Sequence, residues 1–212
     1  MSTKEEMIEE QIKKKGVSNP NVLKAMREID RSLFVPEDMK PHAYEDRPLP
    51  IGKEQTISQP YIVAYMAEEL HLDPEDVVLE VGTGCGYNAA VLSRLSKHVY
   101  SLEIVEWLAN LAKKNLAKSS FENITTRYGD GYSGWPEKAP FDAIILTAAP
   151  PKIPQPLKQQ LKIGGRLLAP VGRTSQTLIL LTRTREESFE EKKLLPVKFV
   201  PMTGKAEKQD KV

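Results

Sequence analysis

The sequence predicts a doubly wound α/β fold with a mostly parallel sheet, preceded by an N-terminal extension of helices and loops. The first observation is that short apolar stretches, which suit buried strands, alternate with amphipathic helical stretches after residue 76. The second is a glycine-rich turn directly after the first of these strands, where α/β sheets of this kind bind nucleotides. The chain has 212 residues, of which 40% are hydrophobic and 28% charged, and this composition suits one compact folded domain.

The N-terminal extension is expected to span residues 1–75. Residues 4–15 carry apolar side chains at helical spacing, and Asn19-Pro20 is a helix start because proline suits the first helical position. Residues 31–57 are rich in proline and turn residues and are expected to be irregular. A further helix is expected to open at residues 56–60.

The core is expected to span residues 76–204 and to contain seven strands. The predicted strands are 77–81, 99–103, 124–127, 142–147, 166–171, 177–183 and 194–200, and the predicted helices are 87–95, 105–117 and 154–161. The fourth strand has an entirely apolar centre, which is typical of a strand covered on both faces. We interpret the charged segment 185–193 as a turn and residues 205–212 as a frayed polar tail.

Composition and charge exclude several classes of function. The net charge of +1 provides no electrostatic case for binding nucleic acid or an anionic membrane. No apolar stretch approaches the roughly 20 residues that span a bilayer, and no signal core is present. The single cysteine, Cys85, suits a reducing compartment, so the cytoplasm is the expected location. The histidines show no metal-ligand spacing, so no metal is expected: His42, His71 and His98.

A glycine-rich loop follows the first core strand and precedes a helix. The glycines of this loop, Gly82, Gly84 and Gly86, allow backbone N–H groups to approach a ligand closely. A dinucleotide motif requires glycine where this chain has Tyr87, and a P-loop requires a Gly-Lys-Ser/Thr that is missing. The pattern Glu-x-Gly-x-Gly-x-Gly, which starts at Glu80, is instead that of class I S-adenosylmethionine-dependent methyltransferases, whose seven-stranded sheet is Rossmann-like.

An acidic residue at the end of the second core strand completes the cofactor pattern. Glu103 lies 21 residues after Gly82, and its carboxylate can accept hydrogen bonds from the hydroxyls of a ribose. The alternative for the glycines is an ordinary strand-to-helix turn, but Glu80, Glu103 and the alternating pattern favour cofactor binding. For Glu80 alone, bracing of the loop remains an alternative to contact with the ligand.

The chain resembles the protein-L-isoaspartate (D-aspartate) O-methyltransferase family over nearly its whole length. The stretches that carry the resemblance are 49–61 (LPIGKEQTISQPY), 129–135 (GDGYSGW), 139–144 (APFDAI), 161–167 (LKIGGRL) and 170–172 (PVG), and Phe199-Val200-Pro201 also fits. Two loop positions depart from the family pattern. Cys85 occupies a position where the family usually has serine, and Glu54 one where many members have glycine.

The resemblance implies methyl transfer from S-adenosylmethionine to the free α-carboxylate of L-isoaspartyl residues in damaged proteins and peptides. The products are S-adenosylhomocysteine and an ester that initiates repair through a succinimide. The acceptor carboxylate is already ionised at neutral pH, so catalysis should depend on positioning rather than on a general base. Ser58 is the expected catalytic residue, because its hydroxyl could orient the substrate carboxylate. The alternative for Ser58 is a helix cap.

The resemblance also implies a set of cofactor-binding residues. This set is Thr56, Ile57, Glu80, Gly82, Thr83, Gly84, Gly86, Glu103, Asp130, Gly131 and Thr147. Asp130 is expected near the adenine, although an Asx-turn is the alternative, and Trp135 is expected to fill the core. Residues 31–36 and 197–202 are candidates for main-chain recognition of an extended peptide.

Three other functions remain open at this point. A class I methyltransferase with another small-molecule or protein substrate would share the glycine loop but would not explain Thr56-Ile57-Ser58. A binding module that keeps the fold without turnover is disfavoured by the intact glycine, acidic and serine positions. A nicotinamide dehydrogenase is disfavoured by Tyr87. Transfer of a labelled methyl group to an isoaspartyl peptide, compared with its aspartyl twin, would separate these functions.

Overall fold

The computed structural model describes residues 2–119 and 121–208 of the chain. The strands of these residues are β1 (Leu49–Gly52), β2 (Gln55–Ile57), β3 (Val77–Val81), β4 (His98–Glu103), β5 (Ile124–Tyr128), β6 (Phe141–Leu146), β7 (Leu161–Val171), β8 (Gln176–Arg185) and β9 (Ser188–Val197). The α-helices are α1 (Lys4–Glu6), α2 (Pro20–Glu28), α3 (Pro60–Glu69), α4 (Tyr87–Ser93), α5 (Glu106–Leu116) and α6 (Gln155–Gln159).

A seven-stranded sheet in the order β5-β4-β3-β6-β7-β8-β9 forms the centre of the protein. The pairs from β5 to β7 are parallel, whereas β8 and β9 are antiparallel. From β3 the chain adds β4 and β5 on one side and then crosses back to add β6 on the other. The carboxyl ends of β3 and β6 therefore flank the switch point at which sheets of this kind bind ligands. The predicted doubly wound, mostly parallel sheet is confirmed.

Both faces of the sheet are buried, as the apolar strands require. Val78 and Ile145 pack with the N-terminal helices on one face, and Leu79 and Ile144 pack on the other. Trp135 belongs to the second cluster and is only 6% exposed, so the expectation that it fills the core is confirmed. Burial on both faces explains why β3 and β6 carry consecutive apolar residues, over 77–79 and 143–146, rather than an alternating pattern.

The N-terminal helices begin where the sequence predicts. The segment from α1 onward continues as a π-helix over Met7–Ile12 and a 3-10 helix over Lys13–Lys15, and its apolar side chains are fully buried. Asn19 caps α2 by accepting from the backbone N–H groups of Asn21 and Val22. Pro20 follows at the first helical position, where its missing N–H costs nothing.

The segment 31–57 is more regular than expected. It contains 3-10 helices over Arg31–Phe34 and Glu37–His42, and β1 and β2 pair as an antiparallel hairpin. The two residues between the strands, Lys53 and Glu54, have φ angles of 54° and 58°. Two-residue hairpin turns with such angles usually carry Asn-Gly, so this Lys-Glu turn gave no recognisable sequence signal.

The interpretation of residues 185–193 as a turn is wrong. The structure places the turn at Glu186-Glu187 alone, and β9 begins at Ser188. Glu190, Glu191 and their charged neighbours pair with β8 while their side chains are exposed. β9 is the edge strand, and charged side chains on an edge hinder pairing with a second chain. Its charge therefore reflects its place at the edge rather than a loop.

The expected frayed tail is ordered in its first part. Gly204–Lys208 forms a 3-10 helix, and Ala206 is fully buried against the second face of the sheet. The remainder of the expected tail, 209–212, lies outside the described residues. Within 2–119 and 121–208, no helix is both long enough and apolar enough to cross a membrane.

Candidate active site

A cavity lies at the carboxyl ends of β3, β4 and β6. It contains about 930 Å³ of empty space, including its open mouth. The glycine loop after β3 and the end of β4 form one side, and residues 55–58 form another. Residues 200–203, which follow β9, contribute a further wall.

Close backbone packing explains two of the glycines in this cavity. Gly82 has a φ angle of 103°, and a methyl group there would lie 2.2 Å from Oγ1 of Thr147. That Thr147 hydroxyl donates a hydrogen bond of 2.5 Å to the Gly82 carbonyl. A methyl group at Gly131 would lie 2.4 Å from Cγ1 of Val81. Only glycine fits at these two positions. Because neither residue has a side chain, the backbone of both turns can lie at the cavity wall.

Glu103 presents a buried carboxylate to the cavity. Its Oε2 accepts from the Gly84 N–H at 2.7 Å, and its Oε1 accepts from the Val105 N–H at 2.9 Å. Burial raises the pKa of Glu103, and these backbone hydrogen bonds oppose that rise. An ionised carboxylate offers about four acceptor positions, so Glu103 retains capacity for two further donors such as ribose hydroxyls. Glu103 is the last residue of β4 and lines the cavity.

Glu80 supports the glycine loop from behind. Its carboxyl group is fully buried, accepts from Ser101 Oγ and accepts from Asn88 Nδ2 at 2.8 Å. Burial raises the pKa of Glu80 to about 7. The Ser101 hydroxyl also bonds Thr83 Oγ1 at 2.6 Å. Among the described residues that line the cavity Thr83 is present and Glu80 is absent, so the geometry corresponds to the bracing alternative for Glu80.

Asp130 lines the cavity but uses both carboxylate oxygens within the protein. Oδ1 accepts from the Tyr132 N–H at 2.9 Å, which is an Asx-turn, and Oδ2 accepts from the Lys205 N–H at 2.9 Å. The second bond joins the Asp130-Gly131 turn to the C-terminal 3-10 helix. This hydrogen bond could not be predicted from the sequence, because 75 residues separate the two groups.

A second cleft adjoins the cavity and shares part of its wall. The residues that line both are Thr56, Ser58, Thr147, Val200 and Pro201. Ser58 is not the cap of α3, because Gln59 occupies the N-cap position and Pro60 follows. Ser58 therefore lies where the two spaces meet, and it does not cap the helix, which was the alternative drawn from the sequence.

The two segments expected to recognise peptide have different positions. Pro196–Pro201, which overlap the expected segment 197–202, line the second cleft. The side-chain amide of Gln176, which sequence reasoning missed, bonds both backbone groups of Phe199, at 2.6 and 3.0 Å. In contrast, Arg31 is fully buried, donates to the Ala43 carbonyl and lies over the Tyr87 ring. Residues 31–36 line neither space, and their contact with substrate stays a prediction.

The histidines lie outside both spaces and contact other groups. His42 Nδ1 lies 2.6 Å from Glu45 Oε1, and His98 Nε2 lies 2.9 Å from Thr125 Oγ1. His71, with a φ angle of 45°, follows the end of α3. In the part of the chain that the structure describes, no group of three His, Cys, Asp or Glu side chains could hold a metal ion.

The cavity fits the expected S-adenosylmethionine in its donor and acceptor set. Glu103 offers acceptor positions, and the glycine loop beside it offers backbone groups because side chains are sterically excluded there. The wall shared with the second cleft gives a reacting group access to a second molecule. This arrangement can hold a nucleoside-containing cofactor and an extended acceptor side by side.

Comparisons with known proteins agree with this geometry. A sequence model of the family described as protein-L-isoaspartate(D-aspartate) O-methyltransferase matches residues 2–207. A Synechococcus protein-L-isoaspartate O-methyltransferase is 51% identical over 209 residues, which cover 95% of this chain and 85% of that protein. The enzyme of the same name from Gloeobacter violaceus is 51% identical over 199 residues, 93% of this chain and 97% of that protein.

Solved structures with the same fold include proteins of the same name. One protein-L-isoaspartate O-methyltransferase has a TM-score of 0.85 and 33% identity, and the match covers 95% of this chain and 66% of that chain. A Plasmodium falciparum beta-aspartate methyltransferase, solved in complex with S-adenosyl-L-homocysteine, has a TM-score of 0.85 at 24% identity. That match covers 96% of this chain and 99% of the Plasmodium chain and supports the fold.

Proposed function

The chain belongs to the protein-L-isoaspartate (D-aspartate) O-methyltransferase family, and on this premise we propose how its residues carry out the reaction. The protein is an S-adenosylmethionine-dependent enzyme that methylates the free α-carboxylate of L-isoaspartyl residues in damaged proteins and peptides, which initiates repair through a succinimide. The dehydrogenase and the inactive binding module are thereby set aside. The observation that carries the proposal is the wall shared by the cavity and the second cleft.

The cavity holds the cofactor, which supplies an electrophilic methyl group on its sulfonium. Glu103 accepts hydrogen bonds from the ribose hydroxyls. It uses the acceptor positions that the N–H groups of Gly84 and Val105 do not occupy. Gly82 and Thr147 keep the loop backbone close to the ligand, as their packing requires. Thr56 and Ile57, which line the opposite wall, contact the methionine part.

The adenine end is shaped by the turn at Asp130-Gly131. Because both Asp130 oxygens accept backbone N–H groups, this residue acts first by holding the turn and the 3-10 helix around Lys205. Its remaining acceptor positions face the cavity and suit the exocyclic amine. Glu80 contributes through Asn88 and Ser101 rather than by contact with the ligand.

Ser58 orients the substrate carboxylate at the shared wall. Its hydroxyl donates to one carboxylate oxygen and leaves the other facing the methyl group. No base is required, since the acceptor is already an anion. The Cys85 thiol and the Tyr87 hydroxyl at the cavity are unsuited to act as a base near neutral pH, because burial raises the pKa of Cys85 to about 11 and that of Tyr87 to about 12. Catalysis therefore depends on orientation and on the exclusion of water.

The second cleft binds the peptide in an extended form. Main-chain recognition suits an enzyme that must accept many flanking sequences, because side-chain pockets would select among them. Gln176 fixes the backbone of Phe199, and the Ala149 N–H donates to the Val200 carbonyl at 2.8 Å. These bonds hold the 197–202 segment rigid before substrate arrives.

We also propose which molecules this protein acts on and where it is located. The substrates are proteins and peptides rather than nucleic acid, which is supported by the net charge of +1. The location is the cytoplasm, which is supported by a single cysteine that is buried and cannot form an intramolecular disulfide.

Transfer of a labelled methyl group tests the proposal directly. The protein should methylate a peptide with one isoaspartyl residue and leave its aspartyl twin unmethylated. Ser58→Ala should reduce turnover, and a peptide with a blocked α-carboxylate should accept no label. Equal labelling of the twin, or label on another class of substrate alone, would contradict the proposed acceptor.

A further inference from the structure

The tip of the β1–β2 hairpin is strained and depends on its surroundings. Lys53 and Glu54 both adopt left-handed backbone angles, which side chains other than glycine disfavour. A two-stranded hairpin is marginally stable by itself. The position of the hairpin must therefore be supported by packing against the core.

Two apolar contacts provide this packing. Ile51 is buried, and a methyl group at Gly84 would lie 3.7 Å from its Cδ1. At the tip, a methyl group on Gly52 would lie 3.0 Å from Cζ3 and from Cη2 of Trp107. The indole of Trp107 thus packs directly against the backbone of Gly52, although it is 47% exposed.

The Trp107 contact joins two walls of the cofactor cavity. Trp107 is the second residue of α5, which begins just after the cavity residues 103–105. Gly52 is continuous, through the turn, with the cavity residues 55–58. A bound cofactor has most of its surface buried, so one wall must move for it to enter or leave. The hairpin, with its strained tip, is the wall best suited to move.

We propose that Trp107 is a positioning residue that latches the hairpin over the cofactor and sets how long the cofactor and its product remain bound. This inference rests on the proposed function, because it takes the cavity as the cofactor site. Trp107 does not contact the reacting atoms in this proposal. It acts through Gly52 on residues 55–58, so it should govern dissociation and KM more than the chemical step.

Dissociation of S-adenosylhomocysteine, followed by surface plasmon resonance on the immobilised full chain, tests the latch. Trp107→Ala should accelerate dissociation about tenfold, as expected for loss of a half-buried aromatic contact. KM for S-adenosylmethionine should rise by a similar factor, while kcat at saturation should stay within about twofold. Trp107→Phe, which keeps an aromatic ring, should dissociate at a rate close to that of wild type. Ile163→Ala, which alters an exposed apolar residue elsewhere, should leave the dissociation rate unchanged.

A double-mutant cycle with Gly52→Ala separates the latch from a general loss of structure. Alanine strains the backbone in both backgrounds because Gly52 has a φ angle of 100°, but only in the presence of Trp107 does the added methyl group also push against the indole. Dissociation should therefore accelerate more in wild type than in Trp107→Ala. Additive effects, or dissociation in Trp107→Ala within about twofold of wild type, would overturn the proposal. Failure of the proposed function would be recognised separately, as a wild-type chain that does not methylate the isoaspartyl peptide.

Discussion

Glu80→Gln should remove a pH dependence of stability that Glu80 introduces. The wild-type carboxyl group has a pKa of about 7 in the folded chain, compared with an ordinary value of 4.5, because it is fully buried. The glutamine amide keeps the shape, can accept from Asn88 and can donate to Ser101, but it does not titrate. The variant therefore isolates the cost of ionising this one group.

The sign of the effect follows from where each state holds the proton. Between about pH 4.5 and pH 7 the folded state keeps the proton of Glu80 and the unfolded state loses it, so stability falls as pH rises. Above about pH 7, the pKa of Glu80 in the folded chain, the full free-energy cost of ionising the buried carboxyl group lowers the stability of the wild type. The difference, 7 minus 4.5, corresponds to about 3 kcal/mol at roughly 1.4 kcal/mol per unit. No discount for solvent screening applies, because Glu80 is 0% exposed.

Urea unfolding of wild type and Glu80→Gln at two pH values measures this cost. From about pH 5 to about pH 8 the stability of the variant relative to wild type should rise by about 2–3 kcal/mol. Glu190→Gln, an exposed carboxyl on β9, serves as the matched control and should show no such rise. A stability difference that stays constant across this range would refute the reasoning, since it would mean that the buried group does not titrate there.

Four further predictions concern the site. Glu103→Ala should weaken S-adenosylmethionine binding about tenfold to a hundredfold in calorimetry, because hydrogen bonds to a charged group are lost; unchanged affinity would remove Glu103 from the site. Ser58→Ala should lower kcat by about the same factor with cofactor affinity nearly intact, and its Tm should barely change because the N-cap position of α3 is Gln59 and not Ser58. Gly82→Ala should abolish cofactor binding, since its methyl group would collide with Thr147; retained binding would contradict this packing. Exhaustive chelation should leave turnover unchanged, and activity restored by one added metal would contradict that expectation.

Most of the fold could be predicted because its signals are local. The apolar strands β3, β4 and β6 and the Asn19-Pro20 helix start each depend on residues adjacent in sequence. The wrong predictions concern segments whose residue types suggest one structure while their place in the fold imposes another. The charged strand β9 resembles a loop until its place at the sheet edge is known, and the β1–β2 turn lacks the residues that usually mark it.

The candidate site divides in the same way. Glu103 and the glycine loop could be placed at the carboxyl ends of the strands, because a strand that ends in such a pattern has one common geometry, and their contact with the cofactor stays a prediction. The bracing role of Glu80 could not be assigned, because it depends on Ser101 and Asn88 converging on one buried carboxyl group. The same holds for Gln176, whose bond to Phe199 joins groups 23 residues apart.

The sequence by itself determined the fold class, the family and the chemical type of each site residue, since these depend on hydrophobic period and on short motifs. Only the tertiary structure decided which polar groups are free to meet a ligand and which are already engaged. Asp130 and Glu80 look alike in sequence as acidic residues near glycines, but one lines the cavity while holding two backbone N–H groups and the other is fully buried. The physical reason is that a buried polar group must find its partners, and those partners come from distant parts of the chain.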